Sequence, residues 1–126
     1  MNDDVFSLVQ SCFEQHNFRE AIVLLTREAA RAPNDWNTHY LLGMANRLLG
    51  DYESAARDYA TALSLNPNEA GTYQAAGINQ QKLNNFGEAI RLHRRAIELD
   101  PKYVEAHNSL GLTLKTIGQT KEAFDA

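Results

Sequence analysis

Apolar residues in this chain recur at spacings of three and four, which predicts amphipathic helices. Two such stretches lie between Trp36 and Pro67, and Gly50 with Asp51 interrupts the pattern between them. Because the residue before a proline avoids helical geometry, the second stretch should end at Asn66. This segment therefore predicts a helix, a tight turn, a second helix and a short link.

The same unit recurs along the chain, because small residues and prolines return every 34 residues. The repeating positions are Gly43, Gly77 and Gly111, then Ala21, Ala55, Ala89 and Ala123, and finally Pro33, Pro67 and Pro101. A fixed period of this length indicates a stack of identical supersecondary units. We interpret residues 1–126 as a single array with repeats at about 2–35, 36–69, 70–103 and 104–126, the last of them truncated.

The turn inside each repeat has its own chemistry. A left-handed residue is expected just before each second helix. The residues at this position are His16, Gly50, Asn84 and Gly118. Asn17 and Asn85 each stand three residues before a glutamate, which is the spacing of a capping box, and Asp51 can cap a helix alone.

The three repeating glycines lie in the middle of predicted helices, where glycine costs up to about 1 kcal/mol relative to alanine. Close approach of the partner helix should compensate for this cost. The expected points of approach are Ala55, Ala89 and Ala123.

These residues resemble the tetratricopeptide repeat family, whose pattern is W-x2-L-G-x2-Y, then A-x3-F, then P. The second repeat reads His39-x2-Leu42-Gly43, Ala55-x3-Tyr59 and Pro67, and the third reads Tyr73-x2-Ala76-Gly77, Ala89-x3-His93 and Pro101. The resemblance covers nearly the whole chain. It implies an all-α fold, a right-handed superhelical solenoid of antiparallel helix hairpins.

The resemblance also implies that the first helix of each repeat lines a concave groove that holds a peptide. The candidate groove residues are Phe6, Gln10, Tyr40, Met44, Arg47, Gln74, Ile78, Gln81, Asn108, Leu112 and Lys115. Among them Met44, Ile78 and Leu112 form an apolar row, which we interpret as a stripe for a partner's apolar side chains. The alternative is that the face is displaced by one residue and the row is core.

One subclass of the family clamps the acidic C-terminal tails of chaperones with lysine and asparagine in the first two rows. Here those positions hold Phe6, Gln10, Tyr40 and Met44. We therefore do not expect this clamp.

Net charge limits the kinds of partner that this chain is expected to bind, and its cysteine content bears on where it is located. The net charge of -4 and the pI near 5.5 argue against nucleic acid or an anionic membrane as the main partner. The one cysteine, Cys12, cannot form an internal disulfide, and no apolar run is long enough to span a bilayer. A cytoplasmic protein is expected.

Catalytic and metal-binding motifs are weak in this sequence. Cys12 and His16 could share a helix face and form an activated thiolate, but no third orienting group is evident, so a half-buried cysteine beside a turn is favoured. His39 and His107 occupy equivalent positions two repeats apart, too distant to share an ion. We expect no catalytic residue, cofactor or metal.

Residues 91–95 form the densest basic run, and Glu88 and Glu98 stand close to it. Such a run could meet phosphate or an acidic partner. The neighbouring glutamates favour a solvated face of local ion pairs instead.

The leading hypothesis is a non-catalytic interaction module that binds a peptide or protein segment in its groove. One alternative is the substrate-recognition arm of a longer enzyme, such as a transferase, with its catalytic domain beyond Ala126. Another is a self-assembling structural array, because the truncated last repeat predicts a fragment whose uncapped C-terminal end favours self-association.

Overall fold

The computed structural model describes the backbone of residues 1–125 and the side chains of residues 1–119. This part of the chain forms α-helices and no strand, so the expected all-α fold class is confirmed. Two compact units are present, Met1–Pro67 and Asn68–Ala126. The helices are α1 (Asp3–Glu14), α2 (Phe18–Arg31), α3 (Trp36–Leu49), α4 (Tyr52–Leu65), α5 (Ala70–Lys82), α6 (Phe86–Leu99) and α7 (Val104–Asp125).

The first unit contains α1 to α4, and each helix packs against the next one in the chain. Short connections make consecutive helices antiparallel. Small and aliphatic side chains fill the core and let the helices approach closely. The cluster consists of Val9, Cys12, Ala21, Leu25, Leu42 and Ala45.

The second unit contains α5 to α7, and α6 packs against both of its neighbours while α5 also touches α7. Its interior is more polar than that of the first unit. Five polar side chains are at most 4% exposed, namely Thr72, Gln74, Asn79, His93 and Thr113. Internal hydrogen bonds offset the cost of this burial for Gln74 and Thr113, whose side chains bond to His93 and Gln81.

The left-handed turns occur at three of the four predicted positions. The φ angles are 57° at His16, 87° at Gly50 and 63° at Asn84. The prediction at Gly118 is wrong, because α7 continues through this residue to Asp125. Each added residue of α7 gains a backbone hydrogen bond, whereas a new helix after Gly118 would first have to be nucleated.

Two of the three predicted helix caps are present. Oδ1 of Asn17 accepts a hydrogen bond from the backbone N–H of Glu20 at 3.4 Å, at the start of α2. Oδ1 of Asp51 accepts one from the backbone N–H of Ser54 at 3.2 Å, at the start of α4. These bonds satisfy N–H groups that a helix start otherwise leaves unpaired.

The predicted cap at Asn85 is wrong, because its side chain makes no bond to the backbone of α6. Its Nδ2 instead donates to Oε1 of Gln80 at 2.9 Å. Glu88, the other half of the expected capping box, pairs with Arg91.

Replacing Asn17 by alanine should therefore lower the free energy of unfolding by about 1 kcal/mol, since α2 loses its cap. Asn85→Ala is the matched control at the equivalent position and should cost clearly less. Urea unfolding followed by circular dichroism measures both variants. Equal losses would contradict this assignment of caps.

Two of the mid-helix glycines lie directly against an aromatic ring of the following helix. A Cβ atom on Gly43 would sit 2.7 Å from Cε1 of Tyr59, and one on Gly77 would sit 2.6 Å from Cε1 of His93. The close approach is confirmed at both sites, but its partner is the ring and not the predicted alanine. At Gly111 no described atom would lie within 4 Å of a Cβ.

The third expected alanine contact, at Ala123, lies outside the residues whose side chains are described. The difference at Gly111 has a simple cause. Gly43 and Gly77 each lie on the first helix of a complete hairpin, whereas α7 runs straight on where a second helix was expected.

Candidate functional site

The predicted groove residues of the first unit lie on α1 and α3 and border a cavity of about 310 Å³. We call this cavity the unit-1 recess. Most of its lining is apolar, and Glu14 is its one charged residue. The other lining residues are Phe6, Val9, Gln10, Phe13, Leu41 and Met44.

The second unit has its own cavity of about 530 Å³ between α5, α7 and the start of α6, which we call the unit-2 recess. Apolar lining comes from Ile78, Phe86 and Leu112. Lys82 is the one charged residue among the described lining side chains. Uncharged polar groups complete the lining, supplied by Gln81, Asn84, Ser109 and Thr116.

The apolar row borders these recesses and is not part of the buried core. Met44 and Ile78 are half-buried, and Leu112 is 57% exposed. Fully enclosed side chains on the same helices, such as Ala45 and Ala106, occupy other positions. The row therefore borders the recesses and stays partly open.

Tyr40 and Arg47 of α3 both contact Tyr59 of α4. The ring centroids of Tyr40 and Tyr59 are 6.1 Å apart, and Nε of Arg47 donates to the Tyr59 hydroxyl at 3.2 Å. Burial raises the pKa of the Tyr59 hydroxyl. Both predicted groove residues thus also serve to hold the ring that packs under Gly43.

Gln74 occupies the position in α5 that Tyr40 has in α3, and its surroundings differ from the expected groove. Its side chain is 4% exposed. Oε1 of Gln74 accepts from Nδ1 of His93 at 2.6 Å, and its Nε2 donates to Oγ of Ser109 at 2.8 Å and to the backbone oxygen of Glu105 at 3.3 Å. Its amide is therefore committed inside the protein and not offered to a ligand.

The remaining predicted residues are more open. Gln10, Asn108 and Lys115 are exposed, and so is Phe6 at 37%. Gln81 borders the unit-2 recess, and its Oε1 accepts a hydrogen bond from the hydroxyl of Thr113 at 3.2 Å. Nε2 of Gln81 remains available as a donor.

Comparison with known families decides what kind of repeat this is. The tetratricopeptide repeat profile matches residues 36–69, and a second profile, described as TPR repeat, matches residues 81–118. Together the two matches cover more than half of the chain. The chain belongs to the tetratricopeptide repeat family.

Solved tetratricopeptide repeat (TPR) domains have the same fold. The first TPR domain of human RPAP3 is 23% identical with a TM-score of 0.89, covering 94% of this chain and 93% of that one. The first TPR of Spaghetti (RPAP3), bound to the HSP90 peptide SRMEEVD, is 24% identical with a TM-score of 0.87 and covers 90% of both chains. These matches show the fold, a TPR-like α-α solenoid.

A third similar structure belongs to a much longer protein. The O-GlcNAc transferase of Thermobaculum terrenum is 24% identical with a TM-score of 0.83, and the match covers 89% of this chain but 22% of that one.

No curated protein sequence matches significantly. Among the described residues, no helix combines the length and apolarity that a membrane crossing needs.

The candidate thiolate pair is not assembled in the TPR fold. Cys12 is buried in the core of the first unit, where it packs with its apolar cluster. His16 is exposed at the end of α1, and its ring lies edge-on to Phe18 at 5.8 Å. The favoured interpretation, a cysteine beside a turn residue and not an activated thiolate, agrees with these positions, although Cys12 is buried and not half-buried.

Two histidines hold the links between repeats. Nε2 of His39 donates to the backbone oxygen of Pro33 at 2.9 Å, and Nε2 of His107 donates to that of Pro101 at 2.8 Å. Each ring thus ties the start of a helix to the proline before it. The described side chains include no cluster of three or more metal-ligating residues.

Two of the three arginines in the basic run on α6 form local ion pairs, as expected. Arg91 pairs with Glu88 at 2.6 Å, and Arg95 pairs with Glu98 at 3.0 Å while its guanidinium lies 5.9 Å from the ring centroid of Tyr73. The hydrogen bond from Arg91 holds the pKa of Glu88 below its usual value. These contacts favour a solvated surface over an anion site.

Sequence reasoning missed part of both recesses. Val9, Leu41 and Ser109 lie next to predicted groove residues in the chain, so a groove drawn one residue wider would have included them. Asn84 and Phe86 lie in or beside the turn between α5 and α6, where helical periodicity gives no signal.

Proposed function

We propose that this chain is a non-catalytic interaction module that binds a peptide or protein segment along the first helices of its repeats. TPR domains of similar fold support the general role, since one is seen bound to a peptide. The observation that carries the proposal is the row of Met44, Ile78 and Leu112, large apolar side chains that border open recesses and stay partly exposed. Such surface is typical of partner binding.

The partner is not expected to be held as in the chaperone-tail subclass. Residues with apolar or neutral side chains occupy the clamp positions, namely Phe6, Gln10, Tyr40 and Met44. Of these, Phe6, Gln10 and Met44 line the unit-1 recess. Burial of apolar side chains is therefore proposed as the main source of affinity.

Changing Met44 and Ile78 together to glutamate should abolish binding, because a carboxylate in each recess must be desolvated by the ligand. Helical circular dichroism should be unchanged, since neither side chain belongs to the core. A peptide-display selection on the wild-type chain identifies binders, and fluorescence anisotropy then measures their affinity for both proteins.

Thr61→Glu with Thr26→Glu is a control with the same number of added charges on exposed positions of α4 and α2. It should bind like the wild type. Undiminished binding by the Met44/Ile78 variant would remove the recesses from the proposal.

The second candidate is a substrate-recognition arm of a longer enzyme. The match to one part of the Thermobaculum terrenum transferase supports it. The full reading frame tests this directly, and a stop codon immediately after Ala126 would exclude it.

Self-association is a third candidate. Apolar side chains of α7 remain exposed, with Val104 at 63%, Leu112 at 57% and Leu114 at 44%. Light scattering over a range of concentrations tests it, and a monomer throughout would exclude it.

We also propose that the protein works in the cytoplasm, because its only cysteine is buried without a disulfide partner.

A further inference from the structure

We infer that the unit-2 recess selects a peptide segment in which an aliphatic residue stands next to an aspartate or glutamate. This inference rests on the proposed function and names the chemistry of its ligand. Three properties of the recess lead to it: an apolar surface, a positive charge, and hydrogen-bond donors on Gln81 and Ser109.

The apolar surface comes from Ile78, Phe86 and Leu112, which line the recess from α5, α6 and α7. A cavity of about 530 Å³ is larger than one aliphatic side chain needs, so the ligand's neighbouring residue also enters the lined region. The ligand therefore contributes an apolar group and the polar group beside it.

The charge of the recess is positive. Lys82, in the last turn of α5, is the only charged residue among the described side chains that line it. Among the described residues, no carboxylate forms an ion pair with Lys82. Its ammonium group is therefore available to a ligand carboxylate.

Two of the uncharged polar lining residues, Gln81 and Ser109, keep donor hydrogens that their internal bonds do not use. The Gln81 oxygen is occupied by the Thr113 hydroxyl, which leaves the Gln81 Nε2 hydrogens to be donated. Oγ of Ser109 accepts from Gln74, which leaves the Ser109 hydroxyl hydrogen to be donated. Donors facing an opening prefer carbonyl and carboxylate oxygens.

The unit-1 recess has the opposite character. Its only charged lining residue is Glu14, and Phe6 and Phe13 contribute aromatic surface. No ion pair with Glu14 occurs in the described part of the chain. A preference for acidic ligands is thus a property of the unit-2 recess and does not follow from the fold alone.

The test uses three peptides that share a central leucine and differ only in the residue on either side of it, which is glutamate, glutamine or lysine. Fluorescence anisotropy at low salt should show that the glutamate peptide binds about fivefold more tightly than the glutamine peptide, as expected for one partly exposed ion pair. The lysine peptide should bind most weakly. Chemical-shift changes at the methyl groups of Ile78 and Leu112 should report the bound leucine.

Lys82→Glu should reverse this order in favour of the lysine peptide. Lys102→Glu changes the net charge equally on an exposed residue outside the recess and should keep the wild-type order. The inference is overturned if Lys82→Glu keeps the wild-type order, if all three peptides bind equally, or if none binds although display selection yields other binders. Failure of display selection to yield any binder would instead overturn the proposed function.

Discussion

Replacing Gly77 by leucine should lower the free energy of unfolding by about 3 kcal/mol, at the upper end of the usual cost of overpacking. The first atom of any side chain at this position would already lie 2.6 to 2.9 Å from three atoms of the His93 ring. That ring is fully buried and hydrogen-bonded to Gln74, so it cannot move aside without losing a bond. Urea unfolding of the whole chain measures the loss.

Gly111→Leu is the matched control, because the repeat places it at the same position of the next first helix. No described atom lies within 4 Å of a Cβ at this position, and the residue is exposed. The variant should be neutral or more stable by up to about 1 kcal/mol, since leucine favours helix over glycine. Similar losses of unfolding free energy in both variants would show that the contact with the His93 ring is not the reason why leucine is unfavourable at Gly77.

Acid should destabilise the second unit through His93. Burial lowers the pKa of His93 below the value of 6.5 that it has when the chain is unfolded. The unfolded chain therefore binds this proton first, so stability is complete above pH 6.5 and falls as the pH drops from there towards the folded-state pKa. The thermal midpoint should fall steadily over this range.

The geometry around His93 gives a reason besides burial for resisting protonation. Nδ1 donates its hydrogen to Oε1 of Gln74, so a second proton must enter at Nε2. Nε2 is buried and has no hydrogen-bond partner among the described residues. A protonated ring would therefore carry both a buried charge and an unpaired donor.

His93→Phe separates this effect from all other titrations. The variant loses the bond to Gln74 and should be less stable at neutral pH, but its thermal midpoint should depend less on pH below 6.5. His39→Phe, at a partly exposed histidine in the first unit, should keep the wild-type dependence. An unchanged slope in His93→Phe would show that another group is responsible.

Local features of the fold were readable from the sequence because each depends on a few neighbouring residues. The turns at Gly50 and Asn84 require a left-handed residue, and Gly43 and Gly77 mark where helices approach closely. The continuation of α7 through Gly118 could not be predicted from the sequence, because where a helix stops depends on what packs beyond it. Local propensity alone cannot decide that.

The candidate groove residues could be assigned from the sequence only to one face of each first helix. Helical spacing identified the side on which Met44 and Ile78 lie, and the structure gives each of them a recess. Helical spacing could not identify Gln74 as a buried residue. Its burial depends on His93, 19 positions away, which stands where the preceding repeat has the aromatic Tyr59. Helical spacing indicates which way a side chain points, whereas its burial depends on the residues that pack against it.

The pairing of Gln74 with His93 takes the place of the pairing of Tyr40 with Tyr59 one repeat earlier. The two members of each pair suit one another, since the two tyrosine rings pack together and the Gln74 amide hydrogen-bonds to the His93 imidazole. A mixed pair would leave either an amide oxygen or a ring nitrogen without a hydrogen-bond partner. An engineer who transplants one repeat into another array must therefore carry both positions across as a single cassette.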